Sequence, residues 1–135
     1  MPINPLPLGN RSRYASVYEA VGGDETFFKL VEAFYVGVAT DPILRPMYPD
    51  DLAPSKRHLA LFLIQFFGGP QIYSAERGHP RLRGRHLGFP IDQAARDLWI
   101  KHMTAALKTI GLSEPAQAQF LTYFEDAATF LINRS

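Results

Sequence analysis

The sequence predicts an all-α fold, and three observations carry that reading. Apolar residues recur at spacings of three and four along most of the 135 residues. The strict alternation of a half-buried strand is missing. Glycine and proline, 10 and 11 residues respectively, cluster between the periodic stretches rather than inside them, so they read as helix ends and turns.

The elements follow in order. Met1 to Arg13 carries three prolines and no apolar run long enough for a signal peptide, and is expected to be a flexible extension ahead of one domain, residues 14–135. A short helix is predicted from Ser16 to Val21, stopped by Gly22-Gly23, where glycine takes a left-handed conformation at little steric cost. From Asp24, the stripe Phe27, Leu30, Val31, Phe34, Tyr35 and Val38 marks one face of a second helix that Pro42 ends. Three prolines between Pro42 and Pro49 leave room for no more than a tight helical turn, which carries Tyr48. Pro54 and Ser55 open a helix expected to bury Leu59, Phe62, Leu63 and Phe66 before Gly68-Gly69-Pro70 closes it. Residues 71–90 hold three glycines and two prolines and are read as irregular, with one or two short turns. Asp92 is the expected N-cap of a long helix with Ala95, Leu98, Trp99, His102, Met103, Ala106 and Ile110 on its broad face. A last helix starts near Ser113-Glu114-Pro115 and is expected to bury Phe120, Leu121, Phe124, Ala128 and Leu131.

Composition narrows the chemistry. With 47% hydrophobic residues the chain has enough apolar surface for one real core. It contains no cysteine, which removes disulfides, thiolate metal sites and covalent haem attachment through C-x-x-C-H. The longest apolar stretch, Leu59 to Phe67, is broken by Gln65 and is too short to cross a bilayer, so a cytoplasmic protein without an integral membrane segment is expected.

The segment Arg81-Leu82-Arg83-Gly84-Arg85-His86, followed thirteen residues later by Trp99, reads as a haem-binding site. One imidazole can hold the iron, flanking guanidinium groups can stay near an anionic cofactor edge, and an indole N–H can reach a ligand on the metal's other face. Tyr35 and Tyr48 would complete the polar side. Each also has a plainer reading: tryptophan and tyrosine on an inner helix face are usually core. His79 is expected to be a structural residue of its loop, and His102 a satisfied core or boundary residue.

The chain resembles the truncated haemoglobins, and within them group II. The likeness rests on Ala20-Val21-Gly22-Gly23, Phe34-Tyr35, Met47-Tyr48-Pro49, Phe67-Gly68-Gly69-Pro70, the run Tyr73 to Arg83, His86 and Trp99, and spans Tyr14 to Leu131. It implies a globin fold trimmed to a two-over-two α-helical sandwich that binds haem b non-covalently. His86 would be the axial ligand, and Tyr35, Tyr48 and Trp99 the distal donors that slow ligand release. Met47, Ser55, Leu59, Leu63, Leu82, Phe89, Ile91 and Met103 are candidates for the haem wall, with Leu59 over the iron and small Ser55 at the pocket mouth. Where relatives often carry a basic side chain toward a propionate, this chain has His58, so Lys56, Arg57, His58, Tyr73, Arg83 and Arg85 all stand as propionate candidates.

The expected function is binding of oxygen and other small gaseous or anionic ligands by a monomer or homodimer. The alternative is a haem enzyme that oxidises nitric oxide or reduces peroxide with electrons from a reductase, since the chain has no G-x-G-x-x-G fingerprint of its own. A helical partner- or nucleic-acid-binding module is remote. The arginines between Arg77 and Arg85 lie in a broken segment, and the net charge is only +1. A zinc site is more remote still, because His79 and His86 lack the usual ligand spacings.

Overall fold

The computed structural model describes residues 17–134; the expected extension Met1–Arg13 lies outside them. Among the described residues there are seven α-helices, one 3₁₀ turn and no strand. The helices are α1 (Val17–Ala20), α2 (Asp24–Thr40), α3 (Ala53–Phe66), α4 (Ile72–Arg77), α5 (Leu82–His86), α6 (Gln93–Thr109) and α7 (Glu114–Phe130), with the 3₁₀ turn at Arg45–Met47.

Helix α2 buries the six residues its stripe predicts, Phe27, Leu30, Val31, Phe34, Tyr35 and Val38. It begins after Gly22 and Gly23, at φ 108° and 74°, a conformation that side chains rarely adopt. Asp41 ends it just before Pro42, and its carboxylate accepts from the amides of Ile43 (2.9 Å) and Leu44 (3.1 Å), which turns the chain into the 3₁₀ segment. Helix α3 starts one residue earlier than expected, at Ala53, because Asp51 accepts from the Ala53 amide at 3.0 Å and pre-forms the first turn. Every residue from Ala60 to Phe66 is buried, a wider face than the predicted stripe, as befits a helix packed on several sides. Gln65, which breaks the apolar run, is satisfied: its amide donates to Ser74 Oγ at 2.8 Å and its carbonyl accepts from the Ser74 amide at 2.9 Å, clamping α4 onto α3.

Asp92 caps α6 as expected, accepting from the Ala95 amide (2.8 Å), and α7 begins where expected, with Ser113 as its cap accepting from the Ala116 amide (3.3 Å). The buried face of α7 is rotated from the expected one. Phe120, Tyr123, Phe124 and Ala127 are buried, whereas Leu121, Ala128 and Leu131 are half-buried. The cause is aromatic packing, since Tyr123 stacks on Phe66 with ring centroids 4.1 Å apart and Phe120 lies 4.6 Å from Phe67.

Helix α2 packs against α3 and α6, α6 packs against α7, and rings join the end of α3 to α7. This is the two-over-two sandwich. Each fully buried Phe or Leu in it contributes about 1.5–3 kcal/mol of burial, so the positions of α2 and α6, which present Tyr35 and Trp99, are strongly determined.

Candidate functional site

Three predicted polar residues meet although they come from three elements. Tyr35 is buried on α2, Tyr48 follows the 3₁₀ turn, and Trp99 stands on α6. The rings of Tyr35 and Tyr48 are 5.5 Å apart, edge to face. Trp99 packs against Phe34 at 4.9 Å and Phe124 at 5.5 Å, so its ring body is core while its N–H is turned to Tyr48. Burial pushes the Tyr48 hydroxyl up to about 12, against hydrogen bonds from Trp99 and Tyr35 that favour its oxygen as acceptor. Tyr35 is pushed well above the ordinary phenol range, first by burial and then by Tyr48, to which it donates. A phenol oxygen that accepts two bonds keeps its own O–H to donate to a third group. Both phenols therefore stay protonated at neutral pH.

The turn that presents Tyr48 is braced by Arg45. Its guanidinium donates to the carbonyls of Tyr48 (3.2 Å), Pro49 (3.0 Å) and Asp50 (2.9 Å), fixing three successive peptides of a proline-rich stretch.

His86 closes α5 and is half-buried. Its Nδ1 lies 2.6 Å from the Leu82 carbonyl, and burial holds its pKa below the usual histidine value, against the Leu82 hydrogen bond and with the charge of Arg85 acting the same way as burial. The neutral ring donates through Nδ1, which leaves the Nε2 lone pair free to coordinate a metal. The backbone around it is held by polar groups from afar. Asn133 Nδ2 donates to the His86 carbonyl at 3.1 Å, and the Ile91 amide donates to Asn133 Oδ1 at 3.0 Å.

The arginines predicted for the propionates have other partners. Arg85 donates to the carbonyls of Pro80 (2.7 Å), Arg77 (3.1 Å) and His79 (3.4 Å). Arg83 donates to the Phe130 carbonyl at 3.0 Å and lies over the Phe130 ring. Lys56 pairs with Glu32 and Arg57 with Glu76, both at the surface, and His58 Nε2 faces Arg77 at 3.0 Å. Tyr73 is buried edge-on against Phe62. His79 has the structural part expected of it, with the Arg81 amide 3.4 Å from its Nδ1.

The predicted wall residues divide in two. Met47, Ser55, Leu59, Leu82 and Ile91 are half-buried and Phe89 is exposed, whereas Leu63 and Met103 are packed in the core with almost no free surface. Leu87 beside His86 is 55% exposed, a large apolar side chain with little cover from the chain itself. A flat, largely apolar metallocycle fits this chemistry: one neutral imidazole with a free nitrogen, uncovered aliphatic and aromatic surface nearby, and a separate polar cluster in which Tyr35 and Trp99 donate to Tyr48 and the Tyr48 O–H is left to donate outward.

Comparison with known proteins agrees. The family model described as "Bacterial-like globin" matches residues 16–133. Group 2 truncated hemoglobin YjbI of Bacillus subtilis is 39% identical over 118 residues, covering 87% of this chain and 89% of that protein. The chain belongs to the group II truncated haemoglobins. Among solved structures, the hemoglobin of Chloroflexus aurantiacus superposes with a TM-score of 0.86 at 50% identity, over 88% of this chain and 98% of that one. The truncated oxygen-avid haemoglobin of Bacillus subtilis gives 0.84 at 39% identity, over 87% and 99%. This truncated haemoglobin is a haem-containing, oxygen-binding globin. Sequence reasoning does not find Arg45, which braces the Tyr48 turn, Leu87, which stands exposed beside His86, or Asn133, which holds the His86 carbonyl. Arg45 precedes Pro46 like any surface cation, and Asn133 acts across 42 and 47 positions, so neither carries a local signal.

Proposed function

We propose that this truncated haemoglobin holds haem b non-covalently through His86 Nε2 and retains oxygen with slow release through Tyr35, Tyr48 and Trp99. The observation that carries the reading is the meeting of three protonated donors in one network. When bound, haem supplies an iron centre that takes up oxygen and related small ligands and draws negative charge onto them. The chain's part is to hold hydrogen-bond donors where that charge develops. Each such bond contributes about 1.5–3 kcal/mol, which corresponds to a roughly ten- to hundred-fold slower release at about 1.4 kcal/mol per decade. Because the donors bond one another, their effects combine without simple addition.

The same reading takes the protein as cytoplasmic. Among the described residues, no helix is long and apolar enough to cross a membrane. For the propionates, Lys56, Arg57 and His58 are the more available candidates, since their observed partners are surface side chains, whereas Arg83 and Arg85 already serve backbone carbonyls.

Trp99→Phe tests the donor network, because it keeps an aromatic ring and deletes the N–H. Stopped-flow oxygen release is expected to accelerate about tenfold. An unaltered rate would leave Trp99 as packing and overturn its role as a donor.

A further inference from the structure

The three donors sit on three separate elements, so something must keep α2, the 3₁₀ turn and α6 in register. One side chain links all three. His102 is on α6, three residues beyond Trp99 and on the same face. Its imidazole packs against α2 at Gly37, two residues beyond Tyr35, so closely that a methyl group there would be 2.3 Å from Nδ1 and 2.8 Å from Cγ. Its Nε2 is 2.7 Å from Asp41 Oδ2, and Asp41 is buried. The other carboxylate oxygen holds the amides of Ile43 and Leu44, where the turn toward Tyr48 begins. One imidazole thus joins the Trp99 helix to the Tyr35 helix by contact and to the Tyr48 turn through a carboxylate.

We propose that His102, acting through Asp41, is a positioning residue that sets the mutual placement of Tyr35, Tyr48 and Trp99. Gly37 belongs to the device. A glycine inside a helix is unfavourable relative to alanine, and here its missing side chain makes the space that the imidazole occupies. The carboxyl of Asp41 is held below the ordinary range, first by His102 and further by the two amides, against burial, so it stays charged and keeps its grip on both sides. With both oxygens engaged, displacement of the imidazole leaves a buried carboxylate under-satisfied, and the turn must move to rehydrate it.

The inference rests on the oxygen-retention reading, and its test separates the two. Trp99 is the chain's single tryptophan, so a ¹⁵N-labelled sample gives one indole N–H resonance, and neither its position nor its exchange with solvent requires haem to be observed. His102→Leu is expected to shift that resonance and speed its exchange at least tenfold, and His102→Gln, which retains a donor, to restore both. In the haem-loaded protein, oxygen release should follow the same order. Gly37→Ala is the second variant. An alanine in the last turn of α2 still favours the helix over glycine, yet its methyl group would evict the imidazole, so it should reproduce the resonance shift of His102→Leu without lowering the intrinsic helix propensity. An indole signal unchanged in either variant overturns the positioning role. A shifted indole with an unchanged oxygen release rate instead overturns the donor reading on which it rests.

Discussion

The two sides of the site are held by different physics. The donor side is set in the core: Tyr35 is among the buried residues of α2, and Trp99 is wedged between Phe34 and Phe124. The histidine side lies on residues 71–91, where the helices have six and five residues and most side chains are exposed. Helices that short do not stand alone. They are held by side-chain groups on backbone carbonyls, Arg85 on three of them, Arg83 on Phe130 and Asn133 on His86. Arg81, at φ 47°, is the one non-glycine residue with positive φ among the described residues and opens α5. Burial thus fixes the side of Tyr35 and Trp99, whereas the His86 side is an assembly of polar pins that, under the proposed ligation, bound haem would complete.

If that division is right, changes on the donor side should alter release rates and leave haem retention intact. The largest such effect is expected for Tyr48→Phe, which removes both a donor and the acceptor for Tyr35 and Trp99. Oxygen release should rise about ten- to hundred-fold, and combining it with Trp99→Phe should fall short of the product of the single effects. Equal haem loss in the variant and the parent protein would complete the expected pattern.

Asn133→Ala challenges the division from the other side. It removes the pins on the His86 carbonyl and the Ile91 amide, at about 1 kcal/mol each, so transfer of haem to an apoglobin scavenger should accelerate by up to about thirtyfold while the oxygen release rate is unchanged. The reverse result would show that the His86 segment is not held as described.

Alkaline titration probes the donor side alone. Followed by phenolate absorbance, Tyr48 should ionise near 12 and Tyr35 later still, against about 10 for an ordinary tyrosine. Folded-state values raised in this way contribute stability that is fully present below about 10 and lost as pH rises through the folded-state values. Tyrosines that all titrate together near 10 in the folded protein would contradict the buried network. The smallest effect is that of Asp92→Ala, which removes the α6 cap: about 1 kcal/mol of stability, read as a lower thermal midpoint, with release rate and haem affinity preserved.

Much of this is legible in the chain because it is local. The α2 stripe, the Asp92 cap, the start of α7 near Ser113 and the Gly22-Gly23 stop all follow from spacing and short-range geometry. Tyr35, Tyr48 and Trp99 can each be named from the family likeness, but their meeting depends on tertiary packing. The face of α7 does not follow from apolar spacing, which favours Leu121 and Leu131 over the hydroxyl-bearing Tyr123, because ring stacking on Phe66 decides the rotation. Long-range polar pairs leave no trace in the sequence: His102 with Asp41 spans 61 positions and Asn133 with Ile91 spans 42. For the same reason Arg83 and Arg85 look from sequence like anion binders, yet they serve carbonyls of the fold.

The proposed ligation of haem by His86 underlies the rest of the proposed function, and an optical titration of the purified protein and of His86→Ala with hemin tests it. An intense Soret band that saturates at one equivalent is expected in the parent protein, with no specific uptake in the variant. A variant that binds hemin with the same stoichiometry and the same spectrum would contradict the assignment.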